Sequence, residues 1–74
     1  MLATIKNFIN EINEMNDKEA VGVITDSMRL REDLGLDSMD LAILTAKIED
    51  KYNVDVFEDG IVNTIGEIIA KLEK

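Results

Sequence analysis

The chain contains no cysteine and no histidine. That removes thiolate chemistry, disulfides, the commonest general base and the commonest metal ligand. A catalytic site would have to run on carboxylates or lysine. The one stretch where other chemistry is concentrated is Leu34-Gly35-Leu36-Asp37-Ser38-Met39-Asp40-Leu41. A serine between two aspartates, ahead of an apolar periodic run, is most often a helix cap. Asp37 and Ser38 are both suited to that post. The same position also suits an ester. A helix start presents unpaired amides and positive dipole charge, which favours a phosphate on a first-turn hydroxyl. Ser38 is therefore a candidate for an attached phosphodiester, with Asp37 and Asp40 as repelling neighbours.

The elements that position this stretch follow from apolar spacing. Ile5, Phe8, Ile9 and Ile12 recur at i, i+3, i+4 and i+7 and predict a helix over 3–15. Leu41, Leu44, Ile48 and Tyr52 predict a second over 38–51, ended by Asn53, Val54 and Val56. Ile65, Ile68, Ile69 and Leu72 predict a third, and Thr64 with Glu67 matches a capping box before it. At most one turn of helix fits into the segment 56–63, before Gly60. With no proline and no alternating strand pattern, the expectation is an all-α bundle forming one domain over residues 1–74. The connection from Asn16 to Asp37 is long enough to be functional or to hide an element. Its apolar residues, Val21, Val23, Ile24, Met28, Leu30, Leu34 and Leu36, are too many for a free linker, and several must pack onto the bundle.

The second helix is apolar on two sides. Met39, Ala42, Ile43 and Ala46 lie opposite its core stripe and next to Ser38. A one-sided surface helix is polar there. The strip reads as a docking surface, with Met39 as an adaptable contact. Asp37, Asp40, Glu49 and Asp50 form its acidic rim, and Lys47 breaks that rim.

Charge and length bound the function further. Sixteen acidic against eight basic residues give a net charge of −8 over 74 residues. Such a surface repels nucleic acid and anionic lipid and attracts basic protein partners. A small chain also has little room for an enclosed active site. A calcium loop placed with Gly60 at its sixth position fails, because Phe57 and Gly66 then fall on ligand positions. No run is long enough to span a membrane and no targeting segment is visible, so a cytoplasmic protein is expected.

Leu30 to Val56, LREDLGLDSMDLAILTAKIEDKYNVDV, resembles an acyl carrier protein. Asp33-Leu34-Gly35-Leu36-Asp37-Ser38 matches the signature around the family's attachment serine. The resemblance implies a four-helix bundle of acyl-carrier type, with a long loop between helices I and II and a short helix III. It implies that Ser38 receives 4′-phosphopantetheine from coenzyme A through a phosphopantetheinyl transferase, with Asp37 flanking it. The carrier itself catalyses nothing. As a monomer it delivers acyl thioesters to ligases, acyltransferases or ketosynthase-type enzymes that dock on helix II. By the resemblance, Asp37, Met39 and Asp40 are docking positions, joined by Ala42, Ile43, Ala46, Lys47 and Asp50. Three departures stand out. Ile43 replaces an acidic contact of typical fatty-acid carriers, Lys47 adds a positive charge, and the third-helix segment from Phe57 to Asn63 is abbreviated. They point to a dedicated pathway of fatty-acid, polyketide or other acyl chemistry. A peptidyl or D-alanyl carrier would use the same serine, and an unmodified acidic helical adaptor would keep the bundle without the chemistry.

Overall fold

In a computed structural model the chain forms three helices, α1 (Leu2–Met15), α2 (Ser38–Tyr52) and α3 (Ile65–Leu72). The structure describes residues 1–58, 60 and 62–73. Among them there is no strand, only an isolated antiparallel bridge between Arg29 and Thr64. The fold is thus all-helical. The short additional helix expected in 56–63 falls partly on Asp59 and Ile61, which lie outside the described residues. Residues 56–58 form a turn, with Glu58 N–H donating to Asp55 O at 3.2 Å and Phe57 N–H to the Asp55 carboxylate at 3.0 Å.

Each helix buries the stripe its spacing sets out. Ile5, Ile9 and Ile12 of α1, Leu44 and Ile48 of α2 and Ile65 and Ile68 of α3 are fully enclosed. Burying one such side chain contributes about 1.5–3 kcal/mol. Phe8, Tyr52, Ile69 and Leu72 complete the stripes at the core margin, half-buried. The backbone of α2 stops at Asn53, which takes the left-handed conformation (φ 59°) that asparagine tolerates better than most residues.

The long connection is held down along its length. Asn10 of α1 exchanges two hydrogen bonds with the Val21 backbone, at 2.7 and 3.2 Å. Ile24, Leu30, Leu34 and Leu36 join the core. The hidden element is a short helical turn over 29–35, where Asp33 N–H bonds to Arg29 O and Gly35 N–H to Arg31 O. Gly35 ends this turn at φ +68°, a conformation that costs an L side chain about 1 kcal/mol or more.

The connection also anchors α3. Ile65 N–H donates to Met28 O (3.0 Å) and Gly66 N–H to Asp26 O (2.9 Å), so loop carbonyls satisfy amides of the first turn. The approach is close. A Cβ on Gly66 would lie 3.1 Å from Asp26 O.

Candidate functional site

The site is built at the start of α2, and its key feature is which residue caps the helix. Asp37 is the N-cap. Its carboxylate accepts from Asp40 N–H at 2.8 Å, and the Asp40 carboxylate accepts from Asp37 N–H at 3.2 Å. This reciprocal capping box satisfies two amides that would otherwise be orphaned. Ser38 is therefore the first helical residue and not a cap, which corrects even the minor capping role open to it from sequence. Its side chain is exposed, and it accepts a hydrogen bond from Arg31, whose Nη2 donates to Ser38 Oγ at 3.3 Å.

Asp40 corrects a second expectation. It is not a free acid on the rim of α2. The residue is 4% exposed, and its carboxylate also accepts from Asn16 Nδ2 at 2.8 Å. Asn16 is the C-cap of α1, so this bond ties the end of one helix to the start of the next. Burial works to raise the Asp40 pKa. The Asn16 amide, the Asp37 backbone N–H and the charge of Lys18 outweigh it, and the carboxyl is held below its ordinary value. Lys18 also donates to Gly35 O at 3.1 Å, fastening the turn before the site.

The other residues of the proposed docking strip divide. Met39 is 72% exposed, and Asp37, Ala42, Ala46 and Asp50 are exposed as well. Ile43 is half-buried and packs against the core margin. Lys47 does not stand free among the rim acids. Its ammonium lies 3.6 Å from Glu11 of α1, and its side chain is 28% exposed.

Beside Ser38 lies a groove of about 610 Å³. Ser38, Leu41, Ala42 and Thr45 form the α2 side, and Phe57 and Asn63 contribute from the chain that follows α2. Thr45 spends its hydroxyl on Leu41 O at 2.8 Å, so it brings no unsatisfied donor to this wall. Sequence spacing linked Ser38 to none of Arg31, Phe57 or Asn63. Arg31 reaches it from the preceding turn, and the other two from the chain beyond α2, so no helical period connects them.

An exposed serine hydroxyl, left unused by the cap and opening onto an apolar-walled groove, fits an esterified, flexible arm. The model of a family described as phosphopantetheine attachment site matches residues 3–72. The chain belongs to this family, whose cofactor is covalently attached 4′-phosphopantetheine. Within it the chain is an acyl carrier protein family member. It is 28% identical over 76 residues to an acyl carrier protein of Thermotoga maritima, covering 100% of this chain and 89% of that relative. No solved structure matches it. No helix of the described residues is long and apolar enough to cross a membrane.

Proposed function

We propose that this chain is a non-catalytic acyl carrier whose arm is attached through Ser38. The observation that carries this reading is the division of labour at the helix start. Asp37 and Asp40 cap α2 between them, and the Ser38 hydroxyl is exposed at the mouth of the groove. A transferase reaching this surface meets a nucleophile that can be esterified without unmaking the cap. Ser38 Oγ would bond to the phosphorus of the phosphopantetheine half of coenzyme A. The pyrophosphate bond would break, releasing the adenosine half as its bisphosphate, and the serine proton would leave to a base on the transferase. The arm supplies a terminal thiol that holds acyl groups as thioesters, which a chain without cysteine cannot otherwise offer.

The chain's own residues account for the rest. Leu41, Ala42 and Phe57 give the groove an apolar wall for part of an acyl chain. The exposed strip of Met39, Ala42 and Ala46, edged by Asp37 and Asp50, suits partner enzymes with basic surroundings, such as ligases, acyltransferases or ketosynthases. Burial of Asp40 takes one acid from the strip, and the Glu11 pair takes away the Lys47 charge that broke it, so the two changes offset. What favours service to a dedicated acyl pathway over housekeeping fatty-acid synthesis is the apolar Ile43, where typical fatty-acid carriers have an acidic contact. The test is direct. Protein purified from its native host is analysed by intact mass, where a modified acyl or hydroxyacyl thioester on the arm at Ser38 supports the reading and an ordinary straight-chain acyl thioester returns the carrier to housekeeping synthesis. An aminoacyl or D-alanyl mass would assign it to the peptidyl-type carriers, and an unmodified mass would favour the adaptor.

A further inference from the structure

Two arginines stand two residues apart in the turn before α2, and they are used differently. Arg29 is committed within its own turn. Its Nε lies 3.2 Å from the Asp33 carboxylate and 3.7 Å from Glu32, and its Nη2 donates to Asp33 at 3.3 Å. Arg31 has no ion-pair partner among the described residues. Its guanidinium reaches instead to Ser38 Oγ, at 3.3 Å, and it lines the same groove. A neutral hydroxyl at that distance is a weak acceptor for a full positive charge.

We infer that Arg31 is the counter-cation of the phosphodiester formed on Ser38, and that this pair holds the ester end of the arm at the mouth of the groove. The inference rests on Ser38 being the attachment site. Esterification would replace a neutral acceptor with a monoanion carrying two non-bridging oxygens, next to the same atom that Arg31 already touches. The planar guanidinium fork matches such an acceptor with two donors, which an ammonium does not. The surroundings call for this charge. Asp37 is exposed beside the ester, and the chain carries a net charge of −8. A phosphodiester here would otherwise meet like charge. Among the described residues Arg31 is the one cation within hydrogen-bond reach of Ser38 Oγ. Lys18 is engaged with Gly35 O and Lys47 with Glu11. Arg31 is thus a positioning residue for the arm and takes no part in making the ester.

The test compares apo protein with protein loaded from coenzyme A by a broad-specificity transferase, with loading checked by intact mass. The readouts are the Arg31 side-chain Nε–H signal and the phosphorus resonance of the ester. On loading, the Arg31 signal shifts and sharpens while that of Arg29 stays in place. In loaded Arg31→Ala the phosphorus resonance moves from its wild-type position, and Arg31→Lys restores it only in part. Raising the salt moves the wild-type resonance toward that of the alanine variant, because the pair is exposed and screened. An Arg31 signal identical in apo and loaded wild type overturns the inference and leaves Ser38 as the attachment site. It needs no variant that folds or loads. Wild type that gains no mass overturns the attachment reading itself, and the inference with it.

Discussion

The starts of α2 and α3 solve the same problem in different ways. At α3 a hydroxyl does the capping. Thr64 Oγ1 accepts from Glu67 N–H at 3.2 Å and donates to the Glu67 carboxylate at 3.3 Å, while Met28 and Asp26 carbonyls take two more amides. At α2 a carboxylate does it. Asp37 and Asp40 close on each other's backbone, and Asn16 braces Asp40 from α1. The hydroxyl at α3 is consumed by the fold, whereas the one at α2 stands one position further in and is not. Moving the capping duty to an acid pair leaves a serine on a well-ordered helix start with its oxygen free for an ester.

The largest effect in this comparison is expected at Asp40. Asp40→Ala removes one half of the capping box and leaves the Asn16 amide without its acceptor. We expect a loss of about 2–3 kcal/mol in urea unfolding at neutral pH. A loss within the range of ordinary surface substitutions would mean that the box does not hold α2.

Asp40 also predicts a pH dependence. Its folded pKa is held below the ordinary carboxylate value of 3.8, so its stabilisation is fully present above that value. It is lost as the pH falls through the lower folded pKa. Asp33, held down by the Arg29 guanidinium, acts with the same sign. Urea midpoints of wild type should fall below about pH 4, and Asp40→Asn should show a shallower acid decline. Parallel acid limbs in the two proteins would remove Asp40 from the account.

Capping hydroxyl and free hydroxyl are then compared directly. Thr64→Ala should cost about 1 kcal/mol, the usual loss for a helix cap. Ser38→Ala should cost less than about 0.5 kcal/mol, as an exposed side chain outside the cap does. Equal costs at the two positions would mean that Ser38 caps after all.

How much of this was legible in the sequence depends on the range of each interaction. The first two helices were readable to within a residue at either end, and the third from its stripe and capping pair, because stripe spacing and cap chemistry are local. The start of α2 was legible as a place but not as an arrangement. Asp40 reads as a surface acid because charged residues are seldom buried unless paired. Its partner Asn16 lies 24 positions earlier, where no periodicity points. Lys47 reads as a stray positive charge for the same reason, with Glu11 on another helix. Arg31 is seven residues from Ser38, across the turn that ends at Gly35, so only the folded chain brings them together. The segment between α2 and α3 lacks a strong apolar period, and its sequence allowed no more than one turn of helix.

The central claim is that Ser38 is the atom the fold reserves for the arm. Wild type, Ser38→Ala and Thr64→Ala are incubated with coenzyme A and a broad-specificity phosphopantetheinyl transferase and analysed by intact mass. Wild type and Thr64→Ala should each gain a single phosphopantetheine mass, and Ser38→Ala should gain none. A gain in Ser38→Ala, or none in wild type, would contradict the account.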